Sequence, residues 1–315
     1  MIALHTGYIL NKIADHQTEF DKFIVAREKA LKRISKRGLK KSQIEYLEYL
    51  KSNLKKIFLA TPDQLNTLKR RFPVKSLGNI KRIKGRKTFS DKILNALNYE
   101  AFRKTILPKY FQSVGIKSCP YCNSMLTISI KEKMKTKARF QADHHMPKSK
   151  YPCFSISLFN LYPVCGPCNN IKSDKRFYFE LYSDNKKSTE KSKYKFTLKK
   201  GSASAYILSK DPKDISFTFG GRNSFGEEAK RLEKMFGIQG IHETQKDIIE
   251  DLIYRAQVYS PAYRKSLAKT FRKILPDSSF EGRFLIGNYS DEKDIHKRPL
   301  AKFTMDIARD LKLIK

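Results

Sequence analysis

Cys119-Pro-Tyr-Cys122, Asp143-His144-His145-Met-Pro147 and Asn160-Leu-Tyr-Pro-Val-Cys165-Gly-Pro-Cys168-Asn169 follow one another within about fifty residues of this 315-residue chain. Thiolates at i and i+3 of a tight turn reach one ion together, and two such turns complete a tetrahedron. Pro120 and Gly166-Pro167 suit tight turns inside the pairs. The spacing predicts a closed four-thiolate site at Cys119, Cys122, Cys165 and Cys168, holding a structural Zn²⁺ with no open coordination position. The 42 residues between the pairs leave room for a β-hairpin and the Asp-His segment.

The inserted residues suit phosphodiester chemistry. That reaction needs a nucleophilic water, a base to deprotonate it and a cation on the phosphate and leaving oxygen. A neutral imidazole serves as the base. A neighbouring carboxylate offers hard oxygen to Mg²⁺ or Mn²⁺, and an Asn amide oxygen adds a ligand without charge.

The stretch 119–176 resembles the HNH (ββα-metal, His-Me finger) endonucleases, in the subgroup with a four-cysteine zinc. The shared pattern is D-H-x-x-P on a β-hairpin, a central Asn, then C-x-x-C-N opening a helix. The resemblance implies that Asp143 is the first ligand of a catalytic Mg²⁺ or Mn²⁺ and His144 the general base. It implies that Asn160 braces the loop bearing the histidine and that Asn169 is the final metal ligand. It covers about sixty of the 315 residues. The His144-His145 pair leaves a second register open, with His144 as ligand and His145 as base. Pro147, three residues after His144, favours the first. Strand alternation sends neighbouring residues to opposite faces, so one of the two histidines acts and the other packs or faces phosphate.

Around this core the chain reads as α+β, with mainly helical flanks on a central ββα-metal, zinc-stabilised nuclease core. Residues 1–115 form a helical N-terminal region. Apolar residues at helical spacing make a hairpin over 16–58, and residues 89–114 make a further helical stretch. A basic arm at 72–88 holds six Lys or Arg and no acid. It reads either as a strap across a phosphate backbone or as a solvated linker. The core spans 116–180, with its hairpin expected at 125–130 and 138–142 and a helix at 169–176. Residues 181–315 are mixed α/β and mostly helical after 226. Strand-like alternation occurs at 177–179 and 215–219, a lysine-rich loop at 186–195, a short strand at 284–286 and a last helix after 300.

Charge sets the partner. Lys and Arg number 65 against 31 Asp and Glu, for a net of +34, and a field this positive draws polyanions. Residues 103–176 alone carry fourteen basic residues against three acids. Lys148, Lys150, Lys172, Lys175 and Arg176 flank the Asp-His centre and are the candidates for gripping nucleic acid, with DNA favoured over RNA. A cysteine count of five, four of them in the pairs, fits metal binding in a reducing compartment better than a disulfide framework. No apolar run suits a signal peptide or a membrane span, so a cytoplasmic protein is expected. A compact nuclease module between helical regions is similar to nucleases of bacterial anti-phage defence and restriction, which implies a bacterial protein with a homodimer or an ATPase-type partner. Two alternatives remain open: a non-catalytic zinc-binding protein that binds nucleic acid, and an RNase.

Overall fold

The computed structural model describes residues 1–78, 87–175, 177, 179–270 and 278–314. The chain is α+β, with its described strands in four two-stranded sheets. No helix among the described residues is long and apolar enough to cross a membrane. Residues 79–86 of the basic arm lie outside the described residues, with Lys81, Arg82, Lys84 and Arg86 among them, and so does Arg176. Contacts divide the chain into two compact units.

The first unit comprises Leu4–Val114 and Thr127–Asp184. Its helices are α1 (Thr6–Ala14), α2 (Gln17–Lys32), α3 (Lys41–Ser52), α4 (Leu54–Leu59), α5 (Pro62–Leu68), α6 (Phe89–Leu97), α7 (Tyr99–Thr105), α8 (Leu107–Val114) and α9 (Gly166–Lys172). Its strands are β1 (Leu4–His5), β2 (Ser129–Glu132), β3 (Lys135–Ala138), β4 (Gln141–His144), β5 (Leu161–Val164) and β6 (Tyr182–Ser183). The core is aromatic. Phe20 packs on Phe58 and Tyr110, and Phe102 packs on Phe23 and Phe58. A second chain of rings runs from Tyr46 through Phe72 to Phe154, on the loop between β4 and β5. Ser157 Oγ also donates to the Ile57 carbonyl at 2.8 Å. The helical layer therefore grips the loop that follows the Asp-His pair.

The stretch 89–114 is three helices rather than one. Asn98 adopts φ 49°, closes α6 and opens α7, with its own Oδ1 accepting from Ala101 N at 3.3 Å. Asparagine tolerates this left-handed conformation better than most residues. The break turns Tyr99 towards β4.

The hairpin also differs from the sequence reading. β2 and β3 pair with each other through a turn in which Lys133 has φ 53°. The strand bearing Asp143 and His144 instead pairs antiparallel with β5, with Asp143 opposite Tyr162 and His144 opposite Leu161. Every residue of β5 is buried, so it shows no alternation and gives no strand signal in the sequence. The order is therefore strand, sixteen-residue loop, strand, helix. The helix starts at Gly166, earlier than the expected 169, and stops at Lys172, where Ser173 takes φ 46°. Phe177 and Phe179 pack ring on ring without forming a strand.

The second unit comprises Met1–Ala3, Gly115–Leu126 and Asn185–Lys315. It holds α10 (Lys186–Glu190), β7 (Tyr194–Leu198), α11 (Ser202–Ser209), β8 (Phe217–Gly221), α12 (Gly226–Phe236), α13 (Ile238–Glu243), α14 (Lys246–Val258), α15 (Pro261–Thr270), α16 (Ser278–Ile286) and α17 (Ala301–Asp310). The β7–β8 hairpin packs Phe196 and Phe217 against Phe303 of α17. Asp306 and Asp310 of the same helix accept from the main-chain N–H groups of Phe196 and Leu198. Asp306 is fully buried and pairs with buried Lys302 at 2.8 Å, while Glu292 collects Lys302, Arg222 and Arg309. Two expectations fail here. The loop at 186–195 begins with α10, capped by Asn185 Oδ1 on Lys187 N. Residues 284–286 end helix α16 rather than forming a strand. Three apolar residues carry no period, and Gly287 at φ 70° closes the helix with its N–H on the Arg283 carbonyl at 2.9 Å.

Candidate active site

β4 carries Asp143 and His144 into the interior of the first unit, where they are 4% and 8% exposed. The His144 Nε2 lies 3.0 Å from the Ser155 carbonyl oxygen. A carbonyl only accepts, so in the neutral ring Nε2 carries the proton and Nδ1 keeps its lone pair. Burial pushes the imidazole down to about 3, against a partial counter-effect from the Ser155 carbonyl. His144 is therefore neutral at neutral pH, the protonation state a base requires. The Tyr99 ring covers it at 4.7 Å, and the Tyr99 hydroxyl donates to the Ala142 carbonyl at 3.0 Å. Burial raises the Tyr99 phenol, so it stays a donor.

Asn160 is fully buried and faces the main chain of the loop that follows His144. Its Oδ1 accepts from Met146 N at 2.6 Å. Its Nδ2 donates to the carbonyls of Met146 at 3.1 Å and Phe154 at 3.0 Å. The His145 N–H donates to the Asn160 carbonyl at 2.9 Å. These bonds fix both ends of the loop and hence the Ser155 carbonyl that orients His144. Replacing Asn160 with Ala removes three buried bonds and leaves main-chain groups without partners. The expected loss of stability is about 3 kcal/mol, read by urea denaturation.

Asn169 lies in the first turns of α9, half-buried, with its Nδ2 donating to Gln141 Oε1 at 2.6 Å. It lines one cavity of about 260 Å³ together with Asp143 and His144. Tyr99, Glu100 and Arg103 of α7, Gln141, Lys148 and Asp174 complete the walls. Glu100 and Arg103 pair at 2.8 Å, and the Ser149 hydroxyl donates to Asp174 at 2.8 Å. His145 is not among the lining residues; its ring stacks on Tyr162 at 5.3 Å.

The basic candidates separate. Lys148 lines the cavity with its ammonium 5.0 Å from the Tyr99 ring centre. Lys150 and Lys175 are exposed. Lys172, expected to grip phosphate at the surface, is instead wholly buried. Its Nζ donates to Asp143 Oδ1 and to the His144 carbonyl, both at 3.0 Å. It stands three residues after Asn169, so one face of α9 offers both groups to β4. The α7 residues were missed because their contribution depends on the Asn98 break, a change of direction with no periodic signal.

The four paired cysteines are all buried, and their Sγ atoms lie within 4.8 Å of one another. They are positioned to hold a metal ion. Local geometry prepares each pair. The Cys119 N–H donates to the Met125 carbonyl and the Cys119 carbonyl accepts from Asn123, which turns at φ 54°. The Ser124 hydroxyl lies 3.2 Å from Cys122 Sγ. Cys165 caps α9 and Cys168 sits in its first turn, where the helix dipole favours thiolate. The fifth thiol, Cys153, is buried against Tyr46, and burial raises it out of the reactive range.

No family model, curated protein or solved structure matches this chain.

Proposed function

We propose that the chain is a metal-dependent DNA endonuclease of the HNH type, stabilised by Zn²⁺ at Cys119, Cys122, Cys165 and Cys168. One observation carries the reading: a neutral His144 oriented by a carbonyl shares a cavity with the Asp143 carboxylate and the Asn169 amide. The strand–loop–strand–helix order from β4 to α9 agrees with a ββα-metal centre, and the net charge of +34 suits a polyanionic substrate. Asp143 and Asn169 supply hard oxygen donors, which fit Mg²⁺ or Mn²⁺. When bound, that ion would stabilise charge on the scissile phosphate and the leaving oxygen.

The chain's own residues do the rest. His144 takes a proton from water at Nδ1, while the Ser155 carbonyl holds the ring through Nε2–H. The proton turns the imidazole into an imidazolium whose Nε2–H still points at that carbonyl. Tyr99 excludes water from one face of the ring. Asn160 keeps the loop, and so the ring, in place. Lys148 offers a positive charge at the mouth of the cavity. His145, stacked on Tyr162, is assigned a packing role.

Plasmid cleavage tests this. Wild type should relax supercoiled DNA with Mg²⁺ or Mn²⁺ and stop when the divalent ion is withheld. His144→Ala should lower the rate by roughly 10²- to 10⁴-fold with thiolate metal and fold retained. His145→Ala should cleave at near the wild-type rate. A His144→Ala protein as active as wild type would sink the assignment, and loss confined to His145→Ala would move the base by one residue.

A further inference from the structure

The β2–β3 hairpin lines no part of the cavity. Residues 131–139 read Lys-Glu-Lys-Met-Lys-Thr-Lys-Ala-Arg, five cations against one acid, and all five cations are exposed. The pair Glu132–Lys135 closes over a two-residue turn, Lys133-Met134. Such turns favour Gly or Asn where φ is positive. Here that position, at φ 53°, is a lysine, and the residue beside it is a methionine that is 98% exposed. A lone exposed apolar side chain means little by itself. This one stands at the end of a ribbon with a lysine on each side of it in sequence.

The base of the ribbon is fixed. β2 and β3 lie against α8, and β3 also against α7. Ser129 Oγ donates to the Pro108 carbonyl at 2.6 Å, and Phe140 packs edge-on against Phe111 at 5.2 Å. Glu132 pairs with Lys137 and Arg139. Lys131, Lys133 and Lys135, the cations nearest the tip, form no ion pair among the described residues. Paired strands lie about 5 Å apart, and the minor groove of B-form DNA is about 6 Å wide. The ribbon with its side chains is too broad for that groove, but its apex is not. Phosphates line both edges of the groove and match the charge of the three lysines. Methionine is unbranched and flexible, and it is among the side chains that wedge between base steps.

We propose that the β2–β3 hairpin docks on duplex DNA from the minor-groove side, with Met134 wedged between base steps and Lys131, Lys133 and Lys135 on the flanking phosphates. The choice of DNA as partner rests on the nuclease reading above, while the docking itself needs no cleavage. The wedge unstacks one step and bends the duplex toward the major groove. A mismatch lowers the cost of unstacking, so the hairpin prefers a mismatched step. Only Arg139 and Phe140 separate β3 from β4. The strand bearing Asp143 therefore continues directly from the ribbon that grips the duplex.

The test uses zinc-loaded full chain without added Mg²⁺ or Mn²⁺. The probe is a short duplex with one central mismatch and 2-aminopurine beside it. Wild type should bind with a rise in 2-aminopurine fluorescence. Met134→Ser should abolish the rise and weaken binding on the order of tenfold, the size of burying part of a methionine. Met134→Leu, another wedging side chain, should keep the rise. Replacing Lys131, Lys133 and Lys135 together with Gln should flatten the plot of log affinity against log salt by about three, near 0.9 for each phosphate contact. The same replacement at Lys187, Lys199 and Lys200, exposed in the second unit, should leave that slope as it was. An unchanged thermal transition verifies the fold of each variant. Full brightening with Met134→Ser overturns the proposal, and so does an equal loss of slope in the two lysine variants. Wild type that binds no duplex overturns it, as does Met134-dependent binding to phosphatidylserine vesicles in place of duplex. Failure of the nuclease reading looks different: plasmid stays intact with Mg²⁺ while the duplex still binds and brightens.

Discussion

Purified chain should carry one zinc, and stripping it should unfold the protein. Four Sγ atoms within 4.8 Å of one another in buried positions are unstable without a cation. As thiolates they repel, and as thiols they lose the ionic bonds that justify their burial. Binding of a structural zinc by four ligands is worth about 10–16 kcal/mol at neutral pH. Total domain stabilities are about 5–15 kcal/mol, so the metal decides whether the native state persists. Elemental analysis should give one zinc per chain. A chelator that removes it should abolish the cooperative thermal transition, and added Zn²⁺ should restore it. Cys168→Ser should lower Tm by on the order of 10 °C, because serine is a poor ligand and the other three thiolates stay crowded. Cys153→Ser should leave the zinc content unchanged. An unchanged Tm after complete metal removal would overturn the assignment.

What the sequence reveals depends on how local the signal is. The four-cysteine cluster was legible because each pair is set by a turn of a few residues. Asp143, His144 and Asn160 were legible because chemistry and spacing sit in one short stretch. β5 was hidden because Leu161, Tyr162, Pro163 and Val164 are all buried, which erases the alternation that marks a strand. Its pairing with β4 displaced the expected hairpin. The Tyr99 roof was hidden because it depends on a single left-handed residue, Asn98, inside a continuous helical pattern. The fate of Lys172 was hidden for a third reason. A lysine in a basic segment reads as solvated, and only the rotation of α9 against β4 turns it inward onto Asp143. Lys150 and Lys175, with the same composition around them, stay exposed.

Mild acid should unfold the protein, and three histidines make that effect steep. His144, His242 and His296 are 8%, 0% and 3% exposed. Burial lowers them to about 3, about 4 and about 3, well under the ordinary 6.5. Each spends one ring nitrogen on a main-chain carbonyl: Ser155, Ile238 and Ile2 respectively. His242 also packs between Phe196 and Phe303, where an imidazolium has no solvation. The unfolded chain therefore binds protons that the folded chain refuses between pH 6.5 and the depressed values. Stability is full above pH 6.5 and falls as pH drops through that window, by up to about 4 kcal/mol per pH unit for three groups. By pH 5 the loss is about 6 kcal/mol, comparable to the whole stability of many domains. Urea denaturation from pH 7.5 to 5 should show this slope. Zinc release in acid acts in the same direction, so His296→Gln separates the two causes. Glutamine keeps a donor for the Ile2 carbonyl and cannot titrate, so proton uptake on unfolding should drop by about one while zinc content stays the same. Uptake that is unchanged in His296→Gln would mean that another group carries the acid sensitivity.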